Sequence, residues 1–131
     1  MITKLIPQRD PILMVHNAQP WGEQGACTSL KIEQTNWFVQ GDMLLEAGIV
    51  EHMAQSAAAM VGLASNGLEP KVGYIGDVKD FRIERLPKVG EIVTSYISIV
   101  TQMENIILIQ AISNVGDEQV AQAKIKIFIV D

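Results

Sequence analysis

A carboxylate and an imidazole, Glu51 and His52, stand side by side in the otherwise almost wholly apolar segment GIVEHMAQSAAAMVGLA, residues 48–64. These two groups are well suited to giving and taking protons near neutral pH. In a helix, adjacent side chains lie about 100° apart around the axis, so Glu51 and His52 cannot face the same point. Gln55, four residues after Glu51, shares its face. Glu51 is therefore a candidate proton donor, with Gln55 beside it as a candidate substrate-binding residue. The alternative for Glu51 is a partly solvated carboxylate that interacts favourably with the helix dipole in the N-terminal turn.

The segment that carries these residues is predicted to form one long helix, from about residue 45 to residue 65. The turn-forming residues Ser65, Asn66 and Gly67 supply its stop signal. Apolar side chains occur almost all round the helix axis, a pattern typical of a helix that is buried on most of its circumference. Such a helix requires other parts of the chain to pack around it.

Segments rich in Ile, Val and Thr on both sides of the helix are predicted to form the surrounding strands. Before the helix, residues 11–21 and 25–34 are predicted to form a hairpin. After the helix, four strands are predicted at 71–86, 91–102, 105–115 and 119–130. The last three are joined by short connections, which favour antiparallel neighbours.

An antiparallel sheet wrapped around a single central helix accommodates this order of elements, and that arrangement is the α+β hotdog fold. A chain of 131 residues is long enough for one domain, so residues 1–131 are predicted to form a single hotdog domain. An open sheet leaves strand edges exposed unless a second subunit continues it. The fold therefore predicts a dimer.

Charge and composition argue against several classes of protein. The net charge is −5, with ten Lys and Arg against fifteen Asp and Glu, which argues against nucleic-acid binding. No apolar run approaches the roughly 18 residues of a membrane span, and the N-terminal sequence MITKLIPQRD is unlike a signal peptide. The single cysteine, Cys27, agrees with a reducing compartment and has no partner for metal binding. A cytoplasmic protein without metal or cofactor is therefore predicted.

Four blocks resemble, in the same order, the motifs of the beta-hydroxyacyl-acyl-carrier-protein dehydratases of the FabZ type, a hotdog family. LIPQRDPILMVHNA (5–18) is similar to L-P-H-R-x-P-F-L-L-V-D-R-V, and NWFVQGDM (36–43) is similar to P-F-F-x-G-H-F-P. IVEHMAQSAAA (49–59) is similar to I-x-E-A-M-A-Q-A-x-G, and GDVKDFRIERLPKVGEIV (76–93) is similar to G-x-x-x-A-R-F-K-R-x-V-x-P-G-D. The shorter dehydratase homologues of aryl-polyene and related acyl-chain systems are a candidate for a closer resemblance.

The resemblance implies dehydration of a beta-hydroxyacyl thioester to a trans-2-enoyl thioester. The family uses a His as the base and a helix carboxylate as the acid, drawn from opposite subunits of a dimer. Glu51 falls on the carboxylate position, but Asp42 follows Gly41 where the family has its His. The loop before the helix is also shorter than in the family. Gly48 is therefore the nearest stand-in for the glycine whose amide binds the thioester carbonyl.

The residue that replaces the missing base stays open among three candidates: Asp42, His16 and His52. The alternative for Asp42 is an ordinary turn residue or helix cap. The alternative for the two histidines is a hydrogen-bonded structural role. Gln8 and His16 replace the His and the Asp of the family's N-terminal block. Gly41 and Gly76, which also lie in the matching blocks, complete the candidate substrate-binding positions.

Four basic residues are candidates for docking an acidic acyl carrier protein: Lys79, Arg82, Arg85 and Lys88. The alternative is a solvated surface, because Asp80 and Glu84 dilute the cluster. The thioester carrier is acyl carrier protein or coenzyme A, and the dimer is a homodimer or a heterodimer with a related dehydratase. Two other functions stay open, namely a degenerate acyl-binding subunit paired with an intact dehydratase, and a hotdog acyl thioesterase.

Overall fold

The helix predicted around Glu51, α1, runs from Glu46 to Ala64 and packs against one face of a six-stranded sheet. The structure is a computed structural model that describes residues 2–64 and 72–130. The strands are β1 Asn17–Trp21, β2 Gly25–Lys31, β3 Val39–Gln40, β4 Met43–Leu44, β5 Val72–Ile83, β6 Ile92–Met103, β7 Ile106–Val115 and β8 Glu118–Val130. A short 3-10 turn, Ile2–Lys4, precedes them. Within the described ranges, no helix is long and apolar enough to cross a lipid bilayer.

The large sheet has the strand order β1-β2-β6-β7-β8-β5, and every neighbouring pair is antiparallel. β3 and β4 form a separate two-stranded ribbon directly before α1. The predicted hairpin, the four later strands and the α+β hotdog fold are confirmed. α1 begins and ends within one residue of its predicted bounds, and the predicted stop signal at 65–67 lies outside the described residues.

The first strand is shorter than predicted, because β1 begins only at Asn17. The apolar residues before it, Met14 and Val15, are fully buried but do not belong to a strand. Met14 instead bonds to α1. Its N–H donates to Gln55 Oε1 at 2.6 Å, and its carbonyl oxygen lies 2.7 Å from His52 Nδ1. Two helix side chains thus provide the backbone hydrogen bonds that a neighbouring strand would otherwise supply.

The core lies between α1 and the inner face of the sheet. Alternate residues of β8 face the helix and are buried: Ala121, Ala123, Ile125 and Ile127. Met53 and Ala57 of α1 are fully buried in the same cluster. Burial of a large apolar side chain contributes about 1.5–3 kcal/mol, so this packing supplies most of the stability of α1.

The N-terminal segment packs against the C-terminal half of α1, and Gly62 makes this contact possible. A Cβ atom at position 62 would clash with the backbone of Leu5, whose Cα would lie only 2.9 Å from it. The next residue, Ile6, is completely buried. The absence of a side chain at position 62 therefore determines how closely the N-terminal segment lies against the helix.

Gly62→Ala is expected to lower the free energy of unfolding by about 1–3 kcal/mol, the usual range for overpacking. In an unconstrained helix this substitution stabilises by about 1 kcal/mol, because alanine has the higher helix propensity. Here the clash is with the backbone of Leu5, which cannot rotate away as a flexible side chain can. Urea unfolding measures the difference, and a variant at least as stable as the parent contradicts the close contact.

The two edges of the large sheet differ in length. β1 has five residues, whereas β5 has twelve and pairs, within the described part of the chain, with β8 alone. Tyr74 and Ile75 on β5 are 59% and 42% exposed. A long unpaired edge with exposed apolar side chains near its start is a surface on which another strand can pair.

Candidate active site

Glu51 lies in the second turn of α1, and Gln55 holds its carboxylate from one turn later. Gln55 Nε2 donates to Glu51 Oε1 at 2.9 Å and to the Ile12 carbonyl at 2.8 Å. Gln55 Oε1 accepts the N–H of Met14 at 2.6 Å. Because Gln55 is buried and bonded at both polar atoms, it fixes one oxygen of Glu51. The other oxygen, Oε2, has no hydrogen-bond partner among residues 2–64 and 72–130, so a ligand can reach it.

Glu51 lines a groove between α1 and the sheet, with a volume of about 110 Å³. The helix contributes Glu51, Ala54, Ala58 and Val61, the sheet contributes Ile75, Ile127 and Ile129, and Gln8 completes the lining. The helix positions recur at intervals of three and four, so they share one face of α1. Apart from Glu51 and Gln8, every lining residue is apolar. This combination of a carboxylate and an apolar wall suits an acid that acts on part of a hydrophobic ligand.

The volume of the groove limits what this chain holds by itself. A water molecule takes up about 30 Å³ of liquid, so the groove admits roughly three or four groups of that size. Pockets for small-molecule ligands usually measure about 300–1,000 Å³. The groove therefore encloses only the part of a ligand next to Glu51, and a complete site needs further walls.

His52 points into the core and does not line the groove. Its Nδ1 lies 2.7 Å from the Met14 carbonyl oxygen, and its Nε2 lies 2.8 Å from Ser95 Oγ, which in turn lies 2.6 Å from Ser113 Oγ. Burial lowers the pKa of His52 from 6.5 to about 4, because the charged imidazolium loses its hydration. The arrangement corresponds to the hydrogen-bonded structural alternative and leaves no path from His52 to a ligand beside Glu51.

The other two candidate bases also lie away from the groove. His16 precedes β1 rather than lying on a strand, and its Nδ1 accepts the N–H of Lys31 at 3.1 Å on the surface. Asp42 is exposed in the turn between β3 and β4, where its carbonyl accepts the N–H of Val89 at 2.8 Å. Neither residue lines the groove. Within the described chain, no candidate base therefore meets Glu51.

The local structure around each of the three candidate glycines accounts for the glycine without a ligand. Gly41 has a φ of 65° in the turn between β3 and β4, a conformation that favours glycine. The N–H of Gly48 donates to the Leu45 carbonyl at 2.9 Å, so the amide predicted to bind a thioester carbonyl is already engaged. Gly76 of β5 lies against the ring of Phe128, which a Cβ would strike. None of the three lines the groove.

The predicted docking residues are largely neutralised by nearby carboxylates. Three of the four form ion pairs: Lys79 with Asp77 at 3.8 Å, Arg82 with Glu84 at 3.7 Å, and Arg85 with Glu91 at 2.9 Å and Glu118 at 3.1 Å. The hydrogen bonds from Arg85 lower the pKa of Glu91 to about 2. The backbone N–H of Lys88 also donates to Glu91, at 2.7 Å. The cluster therefore presents little uncompensated positive charge to a carrier protein.

A larger depression, of about 510 Å³, lies on the face of the sheet turned away from α1. Its lining is mainly polar and includes Asp80, Arg82, Gln110, Gln122 and Lys124. It has no extended apolar wall, and Glu51 does not border it. Within residues 2–64 and 72–130, no group of three His, Cys, Asp or Glu side chains is arranged to hold a metal ion. The groove beside Glu51 is therefore the stronger candidate site.

A family model described as ApeP-like, ApeP dehydratase, matches residues 1–131. The 3-hydroxyacyl-[acyl-carrier-protein] dehydratase FabZ of Levilactobacillus brevis is 26% identical over 129 residues, which cover 93% of this chain and 86% of the relative. Both matches extend over the N-terminal segment, α1 and the sheet. They agree with the order of motifs in the sequence.

Solved structures share the fold at low sequence identity. A chain of the dehydratase heterocomplex ApeI:P from Xenorhabdus doucetiae matches with a TM-score of 0.84 at 10% identity, over 99% of this chain and 91% of that one. A hypothetical thioesterase from Streptococcus pneumoniae, solved with coenzyme A, matches with a TM-score of 0.70 at 9% identity, over 87% of this chain and 84% of that one. At such identities the likeness concerns the hotdog fold alone.

Proposed function

The chain belongs to the ApeP-like family of FabZ-type hotdog dehydratases, and from that premise we propose that it acts in the dehydration of 3-hydroxyacyl thioesters. The acyl chain is carried by acyl carrier protein or by coenzyme A, and the product is a trans-2-enoyl thioester. The observation that carries the proposal is the Glu51 carboxylate, fixed by Gln55 at a groove whose other lining residues, apart from Gln8, are apolar. A fixed acid beside an apolar wall is what a proton donor to a hydrophobic chain requires.

In the proposed reaction, a base removes a proton from C2, next to the thioester carbonyl. The electron pair of that C–H bond forms the C2–C3 double bond, and the C3–O bond breaks. Glu51 donates its proton to the departing hydroxyl group, which leaves as water. The products are the enoyl thioester and water, so no oxidant, reductant or other reactant is needed.

We propose that the base comes from a second subunit. His52 is enclosed in the core, and His16 and Asp42 lie away from the groove, so none of the three pairs with Glu51 inside the chain. The small volume of the groove also supports a site that a partner completes. A chain of the dehydratase heterocomplex ApeI:P has the same fold, and this supports a heterodimer of two dehydratase chains. In the proposed heterodimer the partner is a dehydratase that carries the family's His.

The free edge of β5 is the proposed place for the second subunit. Ile75 lies on this strand and also lines the groove, so a partner paired along β5 would bring its own residues next to Glu51. An edge-to-edge contact would also cover the exposed side chains of Tyr74 and Ile75. The same contact would supply the walls that the groove lacks.

The proposed function is tested by incubating a 3-hydroxyacyl-pantetheine thioester with the chain alone and with a His-bearing dehydratase from the same source. We expect the mixture to form enoyl thioester, detected by its ultraviolet absorbance, above the sum of the separate proteins. Turnover by the chain alone would contradict the proposal that a second subunit supplies the base, but it would agree with the proposed dehydration reaction. No enoyl thioester above the partner's own activity would contradict the dehydratase proposal, and release of free thiol instead would indicate thioester hydrolysis.

A further inference from the structure

A second polar residue, Gln8, lines the groove beside Glu51, and the proposed reaction assigns no role to it. Its side-chain oxygen Oε1 is buried. Within the described residues, no donor lies within hydrogen-bond distance of this oxygen. Buried acceptors are nearly always paired, because an unpaired one has lost its hydration without compensation. Gln8 Oε1 is therefore an acceptor that lacks a donor from the protein.

The backbone around Gln8 is held firmly. The guanidinium group of Arg9 donates to the carbonyls of Ile6 at 2.7 Å, Gln8 at 2.8 Å and Thr3 at 2.9 Å. Ile6 is completely buried, and the Leu5 backbone lies against Gly62 of α1. These contacts set the position of Gln8 without any contribution from its own side-chain oxygen. The backbone of Gln8 is therefore fixed beside the groove.

We propose that Gln8 Oε1 accepts a hydrogen bond from the 3-hydroxyl group of the substrate, so that Gln8 positions the leaving group and selects hydroxylated acyl chains. The inference rests on the proposed dehydration and assigns it a further positioning residue. A hydroxyl group has one hydrogen to donate and lone pairs to accept with. If its hydrogen points to Gln8, a lone pair is left for the proton of Glu51.

Among the described residues that line the groove, Gln8 is the only polar one besides Glu51, which protonates the same hydroxyl group in the proposed reaction. Gln55 is bonded at both polar atoms, and the remaining lining is apolar, so neither distinguishes a hydroxylated chain from a saturated one. A saturated acyl chain or the enoyl product brings no donor at C3 and leaves Gln8 Oε1 unpaired. Sites that bind a substrate hydroxyl discriminate in this way against ligands that lack it. The same difference favours release of the enoyl product.

The test measures binding rather than turnover. Two pantetheine thioesters of equal length, one 3-hydroxyacyl and one saturated, are titrated calorimetrically into the complex of this chain with the His-bearing dehydratase. This chain carries Glu51→Gln, which slows the reaction at its site by about 10²–10⁴-fold. We expect the 3-hydroxyacyl ligand to bind about tenfold more tightly, the effect of one buried hydrogen bond. Adding Gln8→Met is expected to abolish this preference and leave the affinity for the saturated ligand within about twofold. Retained affinity for the saturated ligand also shows that the variant is folded.

Gln24→Met is the matched control, because Gln24 is exposed in the turn between β1 and β2 and lies outside the groove. It should keep the tenfold preference. Equal affinities of the two ligands before Gln8 is changed, or a preference that survives Gln8→Met, would overturn the inference. Equal weakening of both ligands would assign the donor to a pantetheine amide and overturn it too. If the 3-hydroxyacyl ligand binds more tightly but the protein that retains Glu51 forms no enoyl thioester, the proposed function is refuted while the role of Gln8 in binding is kept.

Discussion

Glu51→Gln is expected to lower the rate of enoyl thioester formation by about 10²–10⁴-fold, the range that general acid catalysis contributes. The amide has nearly the size of the carboxylate, and its oxygen can still accept the hydrogen bond from Gln55. It has no acidic proton for the departing hydroxyl group. Because geometry and apolar contacts are preserved, the loss should fall on kcat and leave KM nearly unchanged. Steady-state kinetics of the assembled protein measure both.

Glu46→Gln is the matched control for this substitution. Glu46 lies in the first turn of the same helix but is exposed and does not line the groove. Its replacement should leave the rate within about twofold and the free energy of unfolding within about 0.5 kcal/mol. Full activity of the Glu51→Gln protein would show that the proton donor is another group. Equal losses in both variants would point to a general charge effect.

The elements of the fold could be predicted because their signals are local. Alternation along β8 separates the buried Ala123 and Ile125 from the outward-facing Lys124, and this period of two is a property of a strand. The helix is recognised by an apolar segment too long for a strand and by its small residues. Helix geometry also predicts that the adjacent side chains of Glu51 and His52 point in different directions. The structure confirms it, with one side chain at the groove and the other in the core.

The remaining features depend on contacts between distant segments, which spacing does not encode. The sequence marks Gln8 only as a departure from the family's His, and its position in the groove arises because Leu5 packs on Gly62. The engagement of the Gly48 amide depends on the residue at which α1 begins. The neutralisation of Arg85 requires Glu118, which a neighbouring strand contributes.

His52 is expected to make the protein less stable as the pH falls from 6.5 to 4.5. Its pKa is about 4 in the folded chain because burial disfavours the charged ring, whereas in the unfolded chain it is near 6.5. In this range the unfolded chain binds more protons, so stability present above pH 6.5 is lost as the pH falls through the folded pKa. The difference between the two pKa values of His52 corresponds to about 3 kcal/mol in the free energy of unfolding. About 2 kcal/mol of this is lost between pH 6.5 and 4.5.

The hydrogen bonds of His52 explain why protonation is resisted. Nδ1 faces the Met14 carbonyl, which only accepts, so Nδ1 carries the hydrogen and Nε2 of the neutral ring accepts from Ser95 Oγ. A second proton at Nε2 would force Ser95 to give up that donation inside the core. Neutral His52 thus links the N-terminal segment, α1 and β6, and the charged form weakens that link.

Urea unfolding of His52→Gln and of His16→Gln across this pH range tests the assignment. His16 is exposed, so its replacement should keep the loss of stability between pH 6.5 and 4.5. His52→Gln should remove most of that loss, and it should also cost about 1–3 kcal/mol at neutral pH because Met14 and Ser95 lose their partner. In the unfolded chain Glu91 takes up its proton near pH 4.5, so its own contribution to the pH dependence lies at the lower end of this range and is the same in the parent and both variants. A pH dependence that persists without His52 would assign the effect to another group.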